Sequence, residues 1–191
     1  DIFVKFNKKT PEKDFRNIGT KIGFESLKKY KPYTRHAEHP FVEAIIDGTR
    51  VNVVPCYDVN KGEWQSATDR SVYHTKFMSQ NLSSSMKGDV RILKKFLLHI
   101  EVYGAEIAKE GLSGYVAEVL IFYFGSFEKA IKKISGWKKG QVIGKSTKKF
   151  DWPVVIIDPI DSNRNLGTAI SVDSLGKFVL ACRLFLKKPS K

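Results

Sequence analysis

Apolar and polar positions alternate from the first residue. Asp1, Phe3 and Lys5 fall on one side of an extended segment and Ile2, Val4 and Phe6 on the other, which predicts a strand with its more apolar face toward a core. The period then changes. Phe15, Ile18, Ile22 and Leu27 recur at near-helical spacing behind Thr10, a candidate cap, and Pro11, with Glu12 and Asp14 placed to favour the first turn, so a helix lying on a sheet is predicted. Phe41 to Ile46 and Arg50 to Val54 flank Asp47-Gly48-Thr49, residues that accept positive φ, and read as a hairpin. Pro55 cannot donate to a ladder and is expected to end the second of these strands, sending Cys56 and Tyr57 out of the sheet into a long polar connection.

From Asp89 the helical period dominates. Val90, Leu93, Leu97 and Ile100 make one stripe, Tyr115 to Phe124 is almost wholly apolar and reads as a buried helix, and Ser126 can cap a helix running through Lys133. Trp152 to Ile157 has the length and composition of a short buried strand, and the punctuated stretch Asp158 to Asn165 reads as a loop. A last helix is predicted from about Asp173 to Lys187, with Leu175, Phe178, Val179, Cys182 and Phe185 inward and Pro189 as its stop. The predicted class is α+β, a mixed part over residues 1–84 followed by a mainly helical part over 85–191, with the composition shift at Ser83-Ser84-Ser85 as the boundary.

Composition narrows the partners. Thirty-three Lys and Arg against twenty Asp and Glu leave a formal charge of +13, which favours anions and puts nucleotides and RNA first. Lys129 to Lys149 holds eight lysines and no acidic residue, and reads either as a solvated face and loop or as a contact surface for RNA phosphates. Cys56 and Cys182 lack metal-ligand spacing and are expected to be reduced and packed. The apolar run Val116 to Phe124 is too short to cross a bilayer, so no membrane partner and a cytoplasmic location are expected.

A terminal aspartate taken alone is more often a solvated end than a catalytic group. The context of Asp1 changes that. The strings Arg50-Val-Asn-Val-Val-Pro-Cys-Tyr57, Ser66-Ala-Thr-Asp-Arg70, Val90-Arg-Ile-Leu-Lys94, Val102-Tyr-Gly-Ala-Glu106, Leu112-Ser-Gly-Tyr115 and Asp158-Pro-Ile-Asp-Ser-Asn-Arg-Asn165 occur in that order. Together they closely resemble the archaeal-type (class I) CCA-adding tRNA nucleotidyltransferases, over essentially the whole chain. The resemblance implies a polymerase-β-like nucleotidyltransferase fold, with the distal part of the palm over residues 1–84 and the helical central domain over 85–191. It further implies Mg2+ as cofactor, tRNA, CTP and ATP as partners, and a homodimer for the full-length protein. The implied activity is template-independent transfer of CMP and AMP to the tRNA 3′ end.

The resemblance also implies a catalytic strand with two acidic residues one position apart, of which Asp1 matches the second. The first would lie two positions upstream, and a Gly-Ser phosphate-binding segment is not in the sequence. The family's third metal-binding carboxylate falls at Asn52. Its amide keeps one oxygen ligand but removes a full negative charge, and a loss of roughly 10²- to 10⁴-fold in rate is expected by analogy with removing a positioned base. Asn52 therefore reads as a weakened metal ligand, as a hydrogen-bonded strand residue in a protein that has left this chemistry, or as an altered codon. With Asp1 as the one carboxylate, the chain as it stands is expected to be an inactive fragment.

His74, Lys94, Tyr103 and Arg164 match family positions that contact the incoming nucleotide. Lys94 and Arg164 can neutralise phosphate oxygens, His74 can donate a hydrogen bond, and Tyr103 can stack or donate its hydroxyl. The plainer readings are a solvated helix lysine, a bracing partner of Asp158 or Asp161, a loop histidine and a half-buried core aromatic, in that order. His36 and His39 have no third ligand converging on them in sequence, so no metal role is expected for them. The alternative function is a non-catalytic RNA-binding or regulatory relative. A related RNA polymerase such as an oligoadenylate synthetase is a third reading.

Overall fold

The structure is a computed structural model and describes residues 1–35 and 40–189, so His36 and His39 lie outside the described residues. The chain divides into two compact units, Asp1–Phe77 and Met78–Lys191.

The first unit carries β1 (Ile2–Asn7), α1 (Glu12–Leu27), β2 (Tyr33–Arg35), β3 (Phe41–Ile46) and β4 (Thr49–Asp58), with α2 (Asp69–Asn81) beginning in it. The strands form one sheet in the order β1-β4-β3-β2, β1 running parallel to β4 and the other pairs antiparallel. The hairpin is as predicted, and its two turn residues, Asp47 and Gly48, take φ of 47° and 74°. Leu27, Val42, Ala44 and Val53 form one buried cluster between α1 and the sheet, and Phe15, Tyr57 and Val59 a second, with the Phe15 and Tyr57 rings stacked at 4.2 Å.

Helix α1 forms where the pattern placed it, but its inward stripe differs. Phe15 and Leu27 are buried while Ile18 is exposed, and Gly19 and Gly23 take the places against the sheet. A Cβ on Gly19 would stand 2.8 Å from Pro55 and one on Gly23 2.6 Å from Val42, so the helix backbone rides directly on the strands. Thr10 does not cap it. Pro11 occupies the cap position without a side-chain hydrogen bond.

Pro55 does not end β4, and Cys56 and Tyr57 stay in the sheet, buried. The carbonyl of Pro55 accepts the Thr68 hydroxyl at 2.7 Å, which shows that its N and O face away from β1, beyond the last pairing with β3 at Val42↔Val53. No ladder bond is lost by the missing N–H. Asp69 completes that edge. Buried at the start of α2, it accepts from the N–H groups of Tyr57, Gln65 and Ser66 and from the Ser66 hydroxyl, at 2.5–2.8 Å. The expected polar connection thus contains a helix that its composition hid.

The second unit carries α3 (Ser84–His99), α4 (Gly114–Phe124), α5 (Phe127–Ile134), β5 (Gln141–Ile143), β6 (Val154–Asp158), β7 (Asp161–Asn165) and α6 (Val172–Lys187). Ser83, Ser113, Ser126 and Ser171 cap the four helices, each hydroxyl accepting from the backbone N–H three residues on. Leu93, Leu97, Leu120, Ile121, Ile131, Ile156 and Phe178 are fully buried in its core. Phe185 sits at the margin with its ring edge-on to Phe96 and Phe127.

The stretch Asp158–Asn165 is a hairpin strand rather than a loop, β7 closing a three-stranded sheet in the order β5-β6-β7. Asn165 is what makes so polar a segment a strand. It pairs with Ile157 and its buried Oδ1 accepts from the N–H groups of Ile156 at 2.9 Å and Gly167 at 2.8 Å. Among the described residues no helix is long and apolar enough to cross a membrane.

Candidate functional site

In the first unit the parallel register Ile2↔Val53 sets Asp1 beside Asn52, and the antiparallel register sets Glu43 beside Asn52 on the opposite side. Directly paired residues share a sheet face, so Asp1, Asn52 and Glu43 form a polar row on the face away from the α1 cluster. The Asn52 amide donates from Nδ2 to Asp1 Oδ1 at 2.7 Å. Its own Oδ1 is buried with no partner. Glu43 is buried and accepts the Tyr33 hydroxyl, with Arg50 Nε at 3.7 Å. A depression of about 400 Å³ opens at Asp1, lined by Phe3 and by Val72, Thr75 and Lys76 of α2. His74 lies on the same helix, half-buried, and not in a loop.

In the second unit Lys94 and Tyr103 close on the first turn of α4, and Arg164 is linked to that turn through Asp158 and Tyr115. A Cβ built on Gly114 would meet the Tyr103 hydroxyl at 2.8 Å and Lys94 Nζ at 3.5 Å, so both side chains close on the one position that offers them no side chain. Tyr103 is held there by the backbone bond from Gly104 N–H to the Leu112 carbonyl at 2.8 Å. Lys94 Nζ donates to Glu118 Oε1 at 2.7 Å, and both side chains are 29% exposed. Arg164 pairs with the fully buried Asp158 at 3.1 Å, and the Tyr115 hydroxyl donates to the other oxygen of the same carboxylate at 3.1 Å. Burial, then the Asp158 charge, pushes the Tyr115 hydroxyl well above its ordinary range, so it is a committed donor at all ordinary pH.

Lys94 and Tyr103 thus meet at the capped N-terminus of α4, and Tyr115 of the same turn leads to the Asp158–Arg164 pair; each cation carries a carboxylate, Glu118 or Asp158, that an incoming anion would have to share. The expected bracing of Arg164 by Asp158 is present in the geometry. Three participants were not singled out from sequence, Glu118, Tyr115 and Gly114. A signal was there for all three, since Leu112-Ser-Gly-Tyr115 holds Gly114 and Tyr115, and Glu118 is the one charge inside the apolar run of α4.

The family model for the second domain of tRNA nucleotidyltransferase matches residues 88–191, more than half of the chain. The chain belongs to the tRNA nucleotidyltransferase family. Within it, the chain is 48% identical to a CCA-adding enzyme of Pyrobaculum neutrophilum, over 82% of this chain and 39% of that one. It is 38% identical to the CCA-adding enzyme of Picrophilus torridus, over 97% of this chain and 44% of that one. The chain thus spans less than half the length of these relatives. Among solved structures it resembles the Cid1 poly(U) polymerase, with a TM-score of 0.65, 12% identity and coverage of 98% of this chain and 76% of that one. It also resembles the polymerase core of TRAMP, with a TM-score of 0.60, 14% identity and coverage of 96% and 69%. The fold of this tRNA nucleotidyltransferase segment is polymerase-β-like, as expected from the sequence.

Nucleotidyltransferases of this fold generally work with divalent metal ions, and the solved poly(U) polymerase is described with Mg and 3′-dATP bound. The residues present here do not fit such an ion. The Asn52 N–H takes one of the two Asp1 oxygens, position 52 brings an amide instead of a carboxylate, and the Glu43 carboxylate beyond it is engaged by the Tyr33 hydroxyl. Among the described residues no three His, Cys, Asp or Glu side chains gather as a metal would need.

Proposed function

We propose that this chain is part of a CCA-adding enzyme, which transfers CMP and AMP from CTP and ATP to the 3′-hydroxyl of tRNA. Residues 1–84 are the distal palm and residues 85–191 the central domain in this reading. The observation that carries it is the cluster at Gly114 within a chain whose named relatives are CCA-adding enzymes. Lys94 and Tyr103 hold the triphosphate, and Arg164, kept in place by Asp158 and Tyr115, presents its planar fork to the nucleotide. His74, on α2 of the first unit, is read by itself as a hydrogen-bond donor to phosphate. The Mg2+ implied by the family is not assigned a place, because the Asp1–Asn52 pair does not fit it, and this chain is inactive in transfer. A cytoplasmic location belongs to the same reading.

The test grafts residues 1–191 into the corresponding segment of the Picrophilus torridus enzyme and measures incorporation of labelled CTP and ATP into tRNA lacking its terminal CCA. Asn52→Asp in the graft is expected to raise incorporation by roughly 10²- to 10⁴-fold over the parent graft. Equal incorporation refutes the role given to position 52. In the Asn52→Asp graft, Lys94→Ala is expected to raise the KM for both nucleotides about tenfold or more by removing a charge-assisted phosphate contact. An unchanged KM refutes the triphosphate site.

A further inference from the structure

The basic stretch left over by this reading has a definite structure. Lys129, Lys132, Lys133, Lys138, Lys139, Lys145, Lys148 and Lys149 are all exposed, spread over α5, the turn before β5 and the connection from β5 to β6. Three residues after the last of them stands Trp152, 43% exposed. The other two tryptophans are used up by packing. Trp137 is buried against Phe178, and Trp64 lies edge-on to Tyr73 with Arg70 over its ring. An indole left this open within a basic stretch is better suited to an anionic partner than to an apolar one.

The backbone brings a lysine-bearing turn toward Trp152. Parallel strands β5 and β6 pair Gln141 with Val154, and the Gly140 N–H donates to the Pro153 carbonyl at 2.8 Å, which ties the turn ahead of β5 to the segment that carries Trp152. Lys138 and Lys139 stand on that turn. Lys149 lies three residues upstream of Trp152 in the β5–β6 connection, and Asp151 is the one acidic residue between Lys129 and Trp152. Val142, half exposed on the edge strand β5, continues the open apolar surface. A flat aromatic ring within a basic stretch matches a chain that repeats a phosphate and a base, because the phosphates take the lysines and a base face takes the ring.

We propose that Trp152, with Lys138, Lys139 and Lys149, is a platform on which an unpaired RNA strand lies, one base stacked on the indole and its flanking phosphates on the lysines. The choice of RNA rests on the tRNA nucleotidyltransferase reading; the stacking geometry does not. Because binding is read without nucleotide, metal or turnover, an inactive chain tests it as well as an active one, so failure of the transfer assay and failure of the platform are separate results.

The experiment titrates the chain with a fluorescein-labelled, unstructured RNA of about ten nucleotides, following anisotropy and tryptophan emission, over a series of salt concentrations. Trp152→Ala is expected to weaken binding about tenfold, and Trp152→Tyr, which keeps a stacking face, by less than about threefold. RNA should quench the parent's emission, and the quench should vanish in Trp152→Phe. The double variant Lys138→Ala, Lys139→Ala should shallow the plot of log K against log salt by about 1.4, at roughly 0.7 per phosphate contact on a single strand. Circular dichroism of each variant verifies the fold, which an exposed side chain should leave intact. Equal affinity of parent and Trp152→Ala, or a Trp152→Tyr variant as weak as the alanine, overturns the platform. So does preferential binding to vesicles of anionic phospholipid with a blue shift of the Trp152 emission, which would make this surface a membrane contact.

Discussion

Gly23 leaves no room for a methyl group. Its Cβ would stand 2.6 Å from both Cβ and Cγ2 of Val42, a buried strand residue that has no flexible end to move aside. Gly23→Ala is therefore expected to destabilise the protein by about 1–3 kcal/mol, the usual cost of overpacking, even though alanine is the better helix former. Urea unfolding monitored by circular dichroism checks the sign, and a stabilised variant would show that α1 does not ride on the sheet as described. The same residues show why side-chain pattern misread this helix. Ile18 was counted inward because it is apolar at the right spacing, whereas the close approach is made by residues with no side chain to count. Asn165 is a parallel case. Its two buried backbone contacts make a strand of a segment whose every side chain argues for a loop.

At the level of elements, serine caps were the most legible signal and threonine the misleading one. Ser126 accepts from the Lys129 N–H at 3.2 Å and starts α5, a helix of only eight residues for which one satisfied donor is a large share of its order. Ser126→Ala should cost about 1 kcal/mol in denaturant unfolding, while Thr10→Ala, at a helix start with no side-chain cap, should stay within about 0.5 kcal/mol. Equal costs would mean that the cap assignments are wrong. The elements that were not legible share a cause. β4 continues through Pro55 because its partner strand on that side has already ended, and α2 begins at a carboxylate that also accepts from the Tyr57 N–H twelve residues back in β4, neither of which a short local window contains. The candidate site followed the same division: Lys94 and Tyr103 meet at Gly114, and the pairing of Lys94 with Glu118 depends on the packing of α3 on α4.

Across the whole molecule, the groups with displaced acidities all lean one way. Burial pushes the Cys56 thiol up to about 11 and the Cys182 thiol up to about 12 from an ordinary 9, and burial also raises Tyr115 and Tyr123. A pKa raised in the folded state favours the protonated form, so this stability is fully present below the unfolded value and is lost as pH rises from about 9 through 12. Denaturant unfolding at pH 8 and at pH 10.5 should show a clear loss in the parent and a smaller loss in Cys182→Ala. A parallel loss in the two would show that the thiol is not held in an apolar interior. The +13 charge adds self-repulsion that salt relieves, which is a second reason to hold ionic strength fixed in such comparisons. One contact described above reaches further than its size. Because the Asn52 amide donates to Asp1, the start of β1 is fastened to β4 by a side-chain clasp one residue beyond the Ile2↔Val53 pair, so this edge strand of the sheet is held from its first residue.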